Sequence, residues 1–345
     1  MPRLPPSLFR RARAISPHVA TLLPACRDIS SAVTELRWIR EHVRDISALS
    51  HREKQMEARI SSLCARRGRG VPLQYVLGSQ PFGKLDIRCL PGVLIPRSET
   101  EAYVLHLIEK IKHGRLPVSQ EGSLRVVDFC TGTGCIALAL YEGLSKWAKE
   151  LDVTGVDISE TAVSLSRANL TLNTHAAVLS PPSEKRNIAF RQEDIFDDEA
   201  MRTIPPCHVL VSNPPYISQK VWTYGRGQMG YSVRKYEPKL ALVPGDAAPL
   251  YRGCDHADVF YARLLDIAAY MKPKVLLFEV GDQDQALRVA GLVRRHEYTK
   301  QAKCELWRDW PDSTPEENEI SQLEIDGGKI AVEGSGNVRS VFVCL

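Results

Sequence analysis

Apolar residues recur at three- and four-residue steps at Val33, Leu36, Ile39, Val43 and Ile46, the signature of one buried face of a helix. Met56, Ile60 and Leu63 continue the pattern in a second helix, which stops at the Arg66-Arg67-Gly68-Arg69-Gly70 punctuation. Residues 28–70 are therefore expected to form a small helical docking unit. The next stretch, Leu73–Arg97, is strand-like and broken by Gly78, Gly83, Pro91, Gly92 and Pro96, which predicts a hairpin linker over residues 71–100. From Leu124 onward strands and helices alternate. Leu124–Phe129, Asp152–Asp157, Asn187–Gln192, His208–Ser212 and Lys274–Val280 are predicted strands. Helices are predicted through about Lys149, over Ser159–Asn173 with Ser159 as N-cap, over His256–Met271 and from Gln283. Such alternation predicts an α/β domain over residues 101–345, a Rossmann-like, largely parallel sheet with helices on both faces. Ligands in such sheets bind outside the carboxyl ends of the strands. Ser180–Arg186 and Pro311–Glu319 are expected to be surface loops.

The chain has 345 residues, 44% hydrophobic and 25% charged, a composition typical of soluble globular proteins. A net charge of +4 is too mild to argue for nucleic-acid binding, and no apolar run is long enough to span a bilayer. Nine cysteines are scattered without a C-x-x-C pair, which reads as reduced thiols and predicts no metal site. The amino end is unusual: Arg3, Arg10, Arg11, Arg13 and Arg27 occur with no acidic residue before Asp28. That pattern resembles a mitochondrial transit peptide over residues 1–27 and predicts the mitochondrial matrix, with a basic tail on a cytoplasmic protein as the alternative. Prolines 2, 5, 6, 17 and 24 are expected to limit any amphipathic helix there to about Ser7–Ile15.

Two motifs carry chemistry. Asp128-Phe129-Cys130-Thr131-Gly132-Thr133-Gly134 ends the first strand of the alternating region and opens a helix, and Asp157 ends the next strand 23 residues past Gly134. The spacing also fits a dinucleotide fingerprint. However, a carboxylate at the loop entrance opposes a pyrophosphate and attracts the ammonium and sulfonium of S-adenosyl-L-methionine. The expected cofactor contacts are Asp128, Thr131, Gly132, Thr133 and Gly134, Asp157 at the ribose hydroxyls, Asp194 at the adenine, and Asn213. The second motif, Asn213-Pro214-Pro215-Tyr216, closes the fourth strand. Proline has no N–H and pushes its predecessor out of the helical region, so this stiff turn displays acceptors. The carboxamide of Asn213 and the carbonyl of Pro214 suit a planar –NH2 group, with Tyr216 expected to cover one face. Asn213, Pro214 and Tyr216 are the expected catalytic residues, and Asn213 to Tyr216 the expected substrate contacts. Adenine, guanine and glutamine all offer such a group.

Further segments narrow the choice. Pro72-Leu73-Gln74-Tyr75-Val76-Leu77-Gly78, Phe82 and Val93-Leu94-Ile95-Pro96-Arg97-Ser98-Glu99-Thr100-Glu101 together resemble the linker signature of the HemK/PrmC protein-glutamine methyltransferases. Tyr236-Glu237-Pro238 with Ala241-Leu242, and Phe278-Glu279-Val280-Gly281, fit the same family, so the resemblance covers roughly residues 70 to 345. It implies a class I S-adenosylmethionine-dependent methyltransferase. The implied reaction is methylation of the side-chain amide of the glutamine in the Gly-Gly-Gln motif of a class I peptide-chain release factor. No stable nucleic-acid partner and no membrane are expected, and the chain is expected to act as a monomer. Two departures stand out. Ser98 replaces the family's usual proline, and the helical region without residues 1–27 is shorter than the bacterial bundle. The alternative is an amino-methyltransferase acting on adenine or guanine of DNA or RNA, but no basic target-recognition region accompanies the turn.

Overall fold

The amino end folds as two helices joined at Ser16: α1 (Pro6–Ile15) and α2 (Pro17–Cys26). The Ser16 hydroxyl accepts from the His18 amide at 3.2 Å, and Pro17 takes the first helical position, where its missing N–H costs nothing. The amphipathic helix expected at Ser7–Ile15 is α1, and a second helix, α2, forms beyond Pro17 and accommodates Pro24 near its end. The structure is a computed structural model describing residues 3–46, 53–118, 122–225, 229–246, 248–249, 251, 253–325 and 327–345. The chain divides into two units, the first made of Met1–Ser79, Cys89–Pro91 and Met229–Glu237.

In that first unit α3 (Ile29–Ile46), α4 (Glu53–Gly68) and α5 (Leu73–Leu77) follow α1 and α2. Leu36, Ile39 and Val43 of the predicted stripe are buried with Ile60 and Leu63, whereas Val33 and Ile46 are exposed. Ala12, Val19, Leu22 and Leu23 belong to the same core. Arg67 ties α4 to α3 through a two-pronged pair with Glu35, at 2.6 and 2.8 Å. Leu73–Leu77 is a single helical turn rather than strand. Gly78, in the left-handed conformation, closes it, and Leu73, Tyr75 and Val76 are buried. So short an apolar run does not distinguish the two by period alone.

The second unit holds the sheet. The hairpin narrows to β1 (Ser79–Phe82) and β2 (Leu85–Arg88), followed by extended chain up to α6 (Ser98–Lys112). Then come β3 (Ser123–Phe129), α7 (Cys135–Leu144), β4 (Glu150–Asp157), α8 (Glu160–His175), β5 (Arg186–Gln192), α9 (Asp198–Arg202), β6 (Val209–Ser212) and α10 (Gln219–Tyr224). The short α11 (Tyr231–Tyr236) lies within the segment assigned to the first unit. It is followed by α12 (Val259–Met271), β7 (Val275–Glu279), α13 (Gln283–Arg295), β8 (Lys303–Trp310), β9 (Gln322–Ile325), β10 (Gly328–Glu333) and β11 (Ser335–Cys344). The large sheet runs β5-β4-β3-β6-β7-β11-β8-β10-β9. Neighbours from β5 to β7 are parallel, and β11 is antiparallel to both β7 and β8. The four carboxy-terminal strands were not foreseen. The strand order reverses between β3 and β6, the position where open α/β sheets leave a crevice.

Two buried asparagines one turn apart on α8 hold β2. Asn173 accepts from the Asp86 amide at 3.0 Å and donates to its carbonyl at 2.9 Å. Asn169 accepts from the Arg88 amide at 2.8 Å and also donates to the Thr133 carbonyl at 2.9 Å. The strand edge is thereby satisfied by side chains, and the same helix fixes both the hairpin and the glycine loop. No helix among the described residues is long and apolar enough to cross a membrane.

Candidate active site

Strands β3, β4 and β6 end at Phe129, Asp157 and Ser212, and one cavity of about 320 Å³ opens beyond them. A space of that size suits a small ligand. The loop after β3 turns through three left-handed residues: Cys130 at φ 60°, Gly132 at 57° and Gly134 at 80°. The two glycines serve different ends. A Cβ on Gly132 would meet nothing closer than 3.9 Å, so its backbone stands open to the cavity. A Cβ on Gly134 would fall 2.8 Å from Ser166 and 3.1 Å from the Phe190 ring, so that glycine serves packing beneath the loop.

Thr131, Gly132, Thr133, Asp157, Asp194, Asn213 and Pro215 line the cavity; Asp128, Gly134, Pro214 and Tyr216 do not. Asp157 accepts from the Gly132 amide at 2.9 Å with one oxygen and from the Ser159 amide at 2.9 Å with the other. These bonds aim the carboxylate and leave a lone pair on each oxygen for hydroxyls. Burial pushes its carboxyl above the ordinary range, against the pull of those two amides. Asp194 is exposed and accepts from the Phe196 amide at 2.9 Å. Ile158 and Phe196, beside the two carboxylates, give the same wall an apolar surface.

Asp128 lies beneath the loop, fully buried. Oδ2 accepts from the Thr131 hydroxyl at 2.6 Å, while Oδ1 has no hydrogen-bond partner. Desolvation raises its carboxyl to about 7, against the lowering pull of the Thr131 hydroxyl and the Ala137 amide. Beneath the cavity floor, a buried carboxyl whose Oδ1 has only the nearby Ala137 amide to favour its charged form suits a cationic ligand above it, whose field would stabilise the carboxylate. S-adenosyl-L-methionine has that charge, and the aimed Asp157 carboxylate and the apolar wall suit its ribose and adenine.

Tyr216 has a different place from the expected one. Its hydroxyl donates to Glu279 Oε1 at 3.1 Å, and its ring packs against the core on the α12–α13 side of the sheet rather than along the cavity. The linker also contributes more than the motifs suggested: Val93 to Arg97 and Thr100 form one side of the cavity. Phe260 at the start of α12 and Leu240 complete the apolar lining, and no motif announced either. Glu279 had a visible signal, a lone carboxylate ending the buried strand Val275–Glu279.

A sheet that is parallel from β5 to β7 and brings the glycine loop, the aimed Asp157 and Asn213 to one cavity is the arrangement of a methyltransferase that uses S-adenosyl-L-methionine, and the comparisons with known proteins agree. Residues 114–229 match the Methyltransferase small domain family. The chain is 33% identical to the mitochondrial MRF1 N(5)-glutamine methyltransferase of Saccharomyces cerevisiae, over 86% of this chain and 82% of the relative. It is also 33% identical to the probable counterpart in Schizosaccharomyces pombe, over 80% and 85%. The release factor glutamine methyltransferase of Thermodesulfovibrio yellowstonii is 36% identical, over 68% and 71%. The chain belongs to the release factor glutamine methyltransferase family.

Proposed function

We propose that this protein methylates the side-chain amide nitrogen of the glutamine in the Gly-Gly-Gln motif of a class I peptide-chain release factor, acting as a monomer in the mitochondrial matrix. The observation that carries this reading is the placement of Asn213 and Pro215 on the rim of the cavity that also holds Thr131 to Thr133 and Asp157. When bound, S-adenosyl-L-methionine supplies an electrophilic methyl carbon on a sulfonium. The chain's own residues supply position. An amide nitrogen is a poor nucleophile because its lone pair is delocalised into the carbonyl, so orientation contributes more than a strong base. The Asn213 side-chain oxygen in the cavity lining and the Pro214 carbonyl, between the lining residues Asn213 and Pro215, accept the two amide hydrogens of a bound glutamine and orient its nitrogen. Both acceptors favour the positive charge that develops on nitrogen as the N–C bond forms and the C–S bond breaks. The extra proton then leaves to water.

Labelled S-adenosyl-L-methionine incubated with the protein and a release factor, its Gly-Gly-Ala variant, DNA and RNA tests this reading. Label is expected on the factor and absent from the Gly-Gly-Ala variant. Label on nucleic acid alone would identify an adenine or guanine amino-methyltransferase instead.

A further inference from the structure

The two central residues of the Asn-Pro-Pro-Tyr turn offer no backbone donor, because neither Pro214 nor Pro215 has an N–H. Two side chains hold its last residue from behind. The Tyr216 hydroxyl donates to Glu279 Oε1 at 3.1 Å, and the Tyr216 carbonyl accepts from Gln285 Nε2 at 3.1 Å. Neither Glu279 nor Gln285 lines the cavity.

Both groups are themselves fixed. Glu279 is 2% exposed, and its second oxygen accepts from the Thr100 hydroxyl at 2.5 Å. Thr100 stands in the first turn of α6 and lines the cavity, so one carboxylate joins the linker wall to the Tyr216 turn. The Tyr261 hydroxyl donates to the Glu279 carbonyl at 2.6 Å and pins the strand end. Gln285 accepts from the Gly281 amide at 2.8 Å and donates to Asp258 at 2.8 Å, and Asp258 is in turn gripped by Arg288. At Gly281 a Cβ would stand 3.2 Å from the Tyr216 ring, so the close seat of the ring depends on glycine.

From this geometry we infer that Glu279 is a positioning residue for methyl transfer. It acts through Tyr216 to set where Asn213 and Pro214 present their acceptors, with Gln285 as the second anchor. The inference rests on the proposed role of Asn213. It predicts that the Tyr216 hydroxyl and the Glu279 carboxylate work as one device. Glutamine at 279 keeps the size but places an amide donor where a hydroxyl donor already points, so Tyr216 and Thr100 cannot both be accepted.

A double-mutant cycle tests it, using the full chain, a release factor as acceptor, and separate measurement of kcat, KM, cofactor Kd and Tm. Tyr216→Phe and Glu279→Gln should each lower kcat by about tenfold, the worth of a hydrogen bond to a charged group, with cofactor Kd within about threefold. The double variant should be no slower than the worse single variant. Normal kcat with a lowered Tm in both single variants, or effects that multiply in the double variant, would overturn the inference. Tyr216→Phe removes one oxygen only, so it reports even where Glu279→Gln folds poorly. A wild-type enzyme that labels some other acceptor would refute the proposed substrate alone, and the same cycle run on that acceptor decides the role of Glu279.

Discussion

On the cofactor side of the cavity Asp157 and Asp194 are held by backbone amides no more than 25 residues away, whereas on the acceptor side the turn is held by side chains from far along the chain. Asp194 accepts from an amide two residues on, and Asp157 from amides two residues on and 25 residues back. Tyr216, by contrast, depends on Glu279 and Gln285, 63 and 69 residues away, and Glu279 on Thr100 at a separation of 179. Local amides aim a group wherever the loop folds. Distant side chains aim it only when linker, sheet and helix are all in place. The cofactor half is thus the more autonomous, and the two halves should respond differently to substitution.

The largest separation is expected from Asn213→Ala. It removes the side-chain acceptor from the rim of the cavity and leaves the glycine loop and Asp157 untouched. Methyl transfer should fall by about a thousandfold or more, as when an oriented charge-stabilising group is lost, with cofactor Kd within a few-fold. Single-turnover kinetics beside a calorimetric titration of the cofactor measure both. Normal turnover in this variant would remove the acceptor half from the turn altogether.

The same contrast explains what was legible in the sequence. The glycine loop, Asp157 and the Asn213–Tyr216 turn are contiguous or strand-terminal motifs, so their meeting follows once the strands are parallel and in order. Hydrophobic alternation found β3 to β7 for that reason. Asn169 and Asn173 were invisible as partners of β2, since two polar residues on a helix read as solvent-facing until a strand edge is laid against them. The placement of Tyr216 was misjudged because a motif names a residue type and not the direction of its side chain. At the amino end, the apolar run Val19 to Leu23 packs in the helical core, a contact that arginine content alone does not announce. The carboxy-terminal strands are punctuated by Asp326-Gly327-Gly328 and Gly334-Ser335-Gly336, signals that went unused, whereas the place of β11 between β7 and β8 is decided only by pairing.

A second test of the comparison uses protons. Burial holds the Asp128 carboxyl at about 7, well above its ordinary 3.8. The groups that face it are the Thr131 hydroxyl, the Ala137 amide and the like charge of Asp157. Because the folded value is the higher one, the stabilisation is fully present below the unfolded value and is lost as pH rises through about 7. A shift of roughly three units bounds that loss at about 4 kcal/mol. Asp128→Asn stays neutral throughout. Without cofactor its Tm should gain on wild type progressively between about pH 4 and pH 7 and level off above that, while its cofactor affinity falls. A Tm difference that is flat across that range would show that Asp128 does not titrate there. Kinetics at saturating cofactor should change little, since no acceptor contact is involved.

The smallest effect, and the sharpest on the cofactor side, is expected at Asp157. Its two oxygens already hold the Gly132 and Ser159 amides, and their remaining lone pairs face the cavity wall where ribose hydroxyls are expected. Asp157→Ala should cost about 2–3 kcal/mol of cofactor binding, roughly a hundredfold in Kd. Asparagine is no conservative substitute here, because its –NH2 would face one of the two backbone N–H groups, so Asp157→Asn should bind nearly as poorly as Asp157→Ala. At saturating cofactor both variants should keep kcat within about threefold, the reverse of Asn213→Ala. The two halves remain separable only if that reversal is seen in calorimetric Kd and in kcat on the same preparations. An Asp157→Ala enzyme with intact Kd and collapsed kcat would mean that the carboxylate orients the reacting carbon as well, and that the cofactor half is part of the acceptor device.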